Sequence, residues 1–327
     1  MIFRTEIEIN KAFDINHKAK LLMMGSCFVE NIGSYLKASK FDADINPFGV
    51  LYNPQSIANS LHLALNSTTI TEDDIFFHEG LFHSFLYHSS YSHPDKDQFL
   101  NNINASLSAL REKIATYNVL IITLGTSYVY SQKATGITVS NCHKIPANKF
   151  ERNILSVENI VDEWQKLITC LRAINPNLKI VFTVSPIRHW KDGAHQNQIS
   201  KAILLVAINE IISRTDNSVY FPSYEIVLDD LRDYRFYEED MIHPNKTAIK
   251  YIWEKFGDMF FCKETLQINK EWEKLNKAIN HRAFNENLPD YQLFLKQTLL
   301  KLEQFSSKYP YIYCENEIGL LKNKIEY

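Results

Sequence analysis

The stretch LLMMGSCFVENIG, Leu21 to Gly33, decides how the rest of this chain is read. Its first four residues form an apolar run of strand length, Gly25 permits a sharp turn, and Val29, Ile32 and Leu36 recur at helical spacing. The pattern is a strand, a tight elbow and a helix. At the elbow stand two adjacent side chains able to act as nucleophiles, Ser26 and Cys27, where the first unbonded N–H groups of a helix point. Such an elbow presents a nucleophile and stabilises negative charge beside it.

Outward from the elbow, VLIITL (119–124) and KIVFTV (179–184) are β-branched, continuously apolar runs, the mark of strands buried on both faces. A short strand is expected at 219–221. Helices are expected over about 54–65, 96–116, 195–214 and 224–231. Another is capped by Ser156 and carries the stripe Val157, Ile160, Val161, Trp164, Leu167, Ile168, Leu171 and Ile174. A last core helix is expected with Pro244 at its first turn, its apolar face made by Ala248, Ile252, Phe256 and Met259. Residues 1–10 read as an edge strand or arm, and residues 75–93 and 128–139 as hairpins. Strands alternating with amphipathic helices require a parallel sheet covered on both faces, so the fold class is α/β. Beyond Cys262 the periodicity is helical only, with one stripe at Ile268, Trp272, Leu275 and Ile279 and a second from Tyr291 to Phe305. The expected organisation is one α/β domain over 1–262 and a helical appendage over 263–327.

The 327 residues suffice for a large buried core, and 35 Lys+Arg against 38 Asp+Glu gives a formal net charge of −3. No global field draws nucleic acid or anionic membrane, and neither is expected as a partner. The N-terminus lacks the layout of a signal peptide and no run reaches the ~20 apolar residues of a membrane span, so a cytoplasmic location is expected. Five scattered cysteines fit reduced thiols. Cys142-His143 has no second ligand pair at zinc spacing, the histidines at 78, 83, 88 and 93 share no face, and no phosphate- or dinucleotide-binding glycine pattern occurs. Neither metal nor cofactor is expected.

Ligands of parallel α/β sheets bind outside the carboxyl ends of the strands, which gathers GSC (25–27), the NPFG loop (46–49), GTS (125–127), SPIRHW (185–190) and DMIH (240–243) into one candidate site. In DMIH a turn can fold the Asp240 carboxylate back to the His243 ring, and an imidazole so oriented is the better general base. Arg188, His189 and Trp190 crowd one strand-end loop and suit an anionic or sugar-like substrate. The aromatic hairpin at 75–93 is expected to line the groove.

GSCF (25–28), NPFGVLYNP (46–54), NCHKIP (141–146), SPIRHWKDGAH (185–195) and DMIHPN (240–245) resemble, in the same order, the motifs of the GSCFA family, which is similar to the SGNH or GDSL-like hydrolases. The resemblance implies a three-layer flavodoxin-like fold and ester hydrolysis or acyl transfer on a small-molecule or carbohydrate ester. It places Cys27 on the nucleophilic serine of those enzymes, with Ser26 the alternative one residue earlier, and His243 as base with Asp240 as its partner. It places Gly49 and the strand-end Gly125 in the oxyanion hole. The asparagine of the third motif is missing, and Ser127 is the candidate replacement; Asn53, in the second motif, joins the substrate-binding candidates. A helix N-terminus and a nearby imidazole are expected to lower the thiol pKa. Two other readings remain: a binding protein that kept the fold and lost the reaction, and an acyl transferase working through a thioester.

Overall fold

The computed structural model describes residues 5–281 and 289–326. An extended arm leads into β1 (Lys20–Gly25), α1 (Cys27–Ala38), β2 (Asp42–Ile45) and α2 (Pro54–Leu65). A hairpin, β3 (Phe76–His78) and β4 (Leu81–His83), precedes α3 (Lys96–Lys113). After β5 (Val119–Leu124) the chain inserts β6 (Tyr128–Gln132), β7 (Thr138–Val139) and β8 (Phe150–Ile154), then resumes with α4 (Val157–Ile174), β9 (Lys179–Val184), α5 (Gly193–Ser213) and β10 (Ser218–Tyr220). A short α6 (Ser223–Glu225) runs on as a π-helical turn over 226–230, and α7 (Lys246–Phe260) completes the α/β part. Then come α8 (Lys263–Ile279), α9 (Pro289–Lys308) and α10 (Glu315–Glu326).

The main sheet has the order β10-β9-β5-β1-β2 with every pair parallel. Counting its strands along the chain gives 2-1-3-4-5, the flavodoxin-like doubly wound order, whose direction reverses between β1 and β5. Period-two alternation along the strands divides the core in two. Leu22, Met24, Ile122 and Phe182 face α2, α3, α4 and α5, while Leu21, Met23, Ile121 and Val181 face α1 and α7. The result is three layers. Among the described residues no helix is long and apolar enough to cross a membrane.

Several local expectations change. Residues 5–10 form an arm without strand pairing, in which Ile7 and Ile9 pack on the α1–α7 side; residues 1–4 lie outside the described residues. Pro244 stands before α7 rather than in its first turn, because Asn245 takes the cap and accepts N–H bonds from Thr247 and Ala248 at 3.1 Å. The second hairpin is part of a three-stranded antiparallel sheet in the order β7-β6-β8. In β8 only Phe150 is buried, so FERNI carries almost no apolar signal. The described residues after 262 gather an apolar cluster of their own around Trp272, Leu295, Leu302 and Leu321. It is fixed to the α/β part where Trp272 Nε1 donates to Ala38 O at 2.7 Å and Lys40 pairs with Glu317 at 2.6 Å.

At the switch point the two central strands close on each other. Gly25 lies opposite Thr123 in register, at φ 144°, and a Cβ there would stand 2.2 Å from the Thr123 carbonyl oxygen. Gly25→Ala therefore combines a disfavoured backbone with a backbone clash, and is expected to cost about 3 kcal/mol or more in a urea melt, or to prevent folding. Gly136 also has a positive φ, 72°, but nothing lies within 4 Å of its Cβ position. Gly136→Ala is expected to cost only about 1 kcal/mol.

Candidate functional site

The elbow is built from its backbone outward. Gly25 N–H donates to the Asn46 side chain at 2.9 Å and Ser26 N–H to Thr123 O at 3.3 Å, which holds the end of β1 against both neighbouring strand ends. Ser26 is the N-cap of α1: its backbone is extended, its Oγ accepts from Phe28 N–H at 3.4 Å, and it is only 2% exposed. Cys27 is the first helical residue, half-buried, with a backbone N–H that has no acceptor in another residue among the described residues. It lines a cavity of about 500 Å³ together with Asn53, Thr126, Arg188, His189 and His243. Ser26 does not line it. The two candidates one residue apart thus occupy different places, one a helix cap in the interior and the other on the cavity wall.

Asp240 and His243 come together as the DMIH spacing predicts. Asp240 Oδ1 accepts from the N–H groups of Ile242 and His243, both at 2.9 Å, and Oδ2 meets His243 Nδ1 at 2.5 Å. The His243 N–H, the imidazole and the Ile242 N–H hold the carboxyl down to about 2. With Nδ1 engaged, Nε2 is left without a partner among the described residues.

The thiol is another matter. Burial pushes Cys27 above the ordinary thiol range and Glu30 adds to the shift, while the N–H groups of Cys27 and Phe28 and the charge of Lys201 oppose it. The lowered pKa expected of a helix N-terminus is not found, because desolvation outweighs the helix amides. Cys27 rests as a thiol and needs a base.

None of the three oxyanion-hole candidates has a free group at the cavity. Gly49 N–H donates to Asn46 O at 2.8 Å, and its Cβ position lies 2.3 Å from the His88 Cβ, so it is a turn glycine under a packed side chain. Gly125 N–H donates to Tyr52 O at 2.7 Å. The Ser127 hydroxyl is fully buried and donates to Ser200 Oγ at 3.1 Å. Asn53 does reach the cavity. It caps α2 by accepting from Ser56 N–H at 2.7 Å and donates one amide hydrogen to Ser56 Oγ, leaving its second amide hydrogen and its backbone N–H unbonded among the described residues.

The SPIRHW loop divides. Arg188 and His189 line the Cys27 cavity, but Trp190, 47% exposed, lines a neighbouring cleft that also contains Arg188, Tyr237 and Asp240. The hairpin at 75–93 contributes nothing to the cavity lining, because its rings pack on one another, as Phe76 on Phe85, and on His143. The wall is supplied instead by the inserted sheet, through Tyr128, Tyr130 and Arg152.

Lys201 is a buried charge beside the site that the motifs did not indicate. Only 1% exposed, it donates from Nζ to Gly125 O and Ser185 O, both at 2.6 Å, tying together the ends of β5 and β9. Burial brings its ammonium down to about 7. His189 beside it is lowered to about 4, by burial first and then by the charge of Lys201, and is a neutral imidazole at physiological pH. Its Nε2 lies 3.4 Å from the Gly125 Cβ position, and Ser26 Cβ lies 3.6 Å from the same point. A signal for Lys201 existed: Asn197, Ser200, Lys201, Leu204, Ala207, Ile208 and Ile211 form the buried stripe of α5, and a lysine in register with a core stripe marks a purposeful burial.

Fold and site together define a doubly wound α/β protein in which Cys27 and the Asp240-paired His243 line one cavity at the topological switch point. The chain matches the GSCFA family over residues 20–256 and the GSCFA domain protein C-terminal domain over 272–327, and it belongs to the GSCFA family. No curated protein matches it significantly. Solved structures similar to it include a carbohydrate esterase of family 3 from Talaromyces cellulolyticus, at 13% identity over 77% of this chain and 99% of that one, with a TM-score of 0.31. A mutant acetyl esterase with acetate ion shows 16% identity over 77% and 99%, TM-score 0.32. The acetyl xylan esterase Est2A from the rumen bacterium Butyrivibrio proteoclasticus shows 16% over 73% and 63%, TM-score 0.34.

Alkylation of Cys27 by iodoacetamide, followed by peptide mapping, is expected to rise through a pH midpoint above the ~8.5 of a free thiol. A midpoint below that of a free thiol contradicts this account of the elbow.

Proposed function

We propose that this protein is an acyl-transfer enzyme of the ester hydrolase type in which Cys27 attacks, His243 moves the proton and Asp240 orients the ring. One observation carries the reading: Cys27 opens a helix on the wall of the cavity that His243 also lines, and His243 is engaged by Asp240 through Nδ1, which leaves Nε2 as the acceptor. Because burial keeps Cys27 protonated, transfer of the thiol proton to His243 Nε2 begins the reaction, and Asp240 stabilises the imidazolium that forms.

The sulfur then forms a bond to the ester carbonyl carbon, and the carbonyl oxygen takes the negative charge. In this reading the Cys27 N–H and the Asn53 amide or N–H donate to that oxygen, in place of Gly49, Gly125 and Ser127. On collapse the C–O bond breaks, His243 returns its proton to the departing alcohol, and an acyl thioester remains on Cys27. Water, deprotonated by His243, attacks the thioester carbon and releases the carboxylic acid as the C–S bond breaks and the sulfur regains a proton. Tyr128 and Tyr130 on the wall suit the ring of a carbohydrate or aromatic ester. The five cysteines are all unpaired, which suits a reducing, cytoplasmic setting for a catalytic thiol.

With 4-nitrophenyl acetate as substrate, Cys27→Ala and His243→Ala are each expected to lower kcat/KM by roughly 10³-fold or more. Ser26→Ala is expected to keep acetyl-enzyme formation, read by intact mass, while losing about 1 kcal/mol of stability with the helix cap. Full activity in Cys27→Ala, or an acetyl group mapped to Ser26, overturns the assignment. Transfer of the acyl group to an added alcohol in preference to water would make the enzyme a transferase by the same chemistry.

A further inference from the structure

Charge around the Cys27 cavity does not balance. Its lining holds Arg152, Arg188 and Lys191 against one carboxylate, Asp192, and Asp192 is already paired with Arg152. Arg152 is fixed further by lying over the Tyr128 ring, 3.8 Å from its centroid. In the adjoining cleft, Asp233 pairs with Arg235 at 2.7 Å and Asp240 with His243 at 2.5 Å, while Arg232 reaches Asp229 at 3.4 Å. Every carboxylate lining the two spaces is therefore engaged. What is left over is cationic. Among the described residues Arg188 has neither a hydrogen bond nor an ion pair, and Lys191 donates only to the Tyr130 hydroxyl, at 2.8 Å. Arg188 lines both spaces and so joins the Cys27 cavity to the adjoining cleft. The surplus is local, since the chain as a whole carries a formal net charge of −3.

Two cations without a carboxylate partner at a site walled by tyrosines leave positive charge for a ligand to answer. A guanidinium recognises a carboxylate or phosphate through two parallel N–H bonds, and the ammonium adds a point charge. We propose that the ester taken by this site carries its own negative charge, a carboxylate or phosphate on the alcohol portion, received by Arg188 with Lys191 in support. This rests on the acyl-transfer reading above and adds the substrate class to it. Arg188 then acts on specificity and leaves the bond-making steps to Cys27 and His243.

Matched probes test it: phenyl acetate, 4-acetoxybenzoate and 4-acetoxyphenyl phosphate. The quantity of interest is the kcat/KM ratio of an anionic to the neutral ester in the wild type, divided by the same ratio in Arg188→Gln, which cancels leaving-group reactivity. A tenfold or larger quotient is expected for at least one anion, equivalent to about 1.4 kcal/mol, with a smaller one for Lys191→Gln. The wild-type preference is expected to shrink as sodium chloride is raised to ~1 M. Thermal melts confirm that the variants fold. Turnover of all three esters with a quotient near one overturns the charge proposal and leaves the acyl-transfer reading standing. If no ester is turned over, the acyl-transfer reading fails, and calorimetry with 4-hydroxybenzoate and 4-hydroxyphenyl phosphate judges Arg188 alone. Binding weakened tenfold in Arg188→Gln supports it, and unchanged or absent binding overturns it.

Discussion

The carboxyl end of β1 has no room for a side chain. Gly25 passes so close to the Thr123 carbonyl that any Cβ would collide with it, and this approach lets β1 and β5 remain paired up to the point where the chain must turn. The consequences follow in order. Ser26 is placed to cap α1, the helix begins at Cys27, and the thiol emerges at the one position in a 2-1-3-4-5 sheet where the loops on either side run in opposite directions and leave a crevice. The Asn46 amide and the Tyr52 carbonyl, both from the loop after β2, hold the same corner by bonding Gly25 and Gly125.

Beneath the crevice the protein has placed a group that is costly to bury. Lys201 is enclosed on all sides, with two carbonyl oxygens at 2.6 Å as its acceptors. Those carbonyls terminate the two strands that frame the site, so the lysine is at once a tie between strand ends and a positive field under the thiol and His189. Its effects on the two differ in sense: it favours the thiolate of Cys27 and disfavours a charged His189. Burial first and Lys201 second keep His189 neutral, while His243 is engaged by Asp240.

Much of this was legible before any coordinates. β5 and β9 are six-residue, β-branched, continuously apolar runs, as strands buried on both faces are. The DMIH spacing specified its own turn, because an aspartate that accepts the N–H groups two and three residues on brings its free oxygen to the imidazole. What could not be read depends on partners distant in sequence. Gly49, Gly125 and Ser127 look like free donors along the chain, and only the fold shows each N–H or hydroxyl consumed by Asn46, Tyr52 or Ser200. The groove wall comes from the inserted sheet rather than the aromatic hairpin for a related reason. Ring content is equally compatible with a groove wall and with self-packing, and β8 forms by pairing with β6 rather than by burying its own side chains.

Helix α1 has a second end. Cys27 opens it, and its twelfth and last residue, Ala38, gives its carbonyl to Trp272 of the C-terminal helices, while Lys40 just beyond is paired with Glu317. An α-helix of that length is a stiff rod about 18 Å long, and its aligned peptide dipoles place partial positive charge at the thiol and partial negative charge at the carbonyl that the indole caps. The Cys27 sulfur and the helical appendage are thus mounted on opposite tips of one strut.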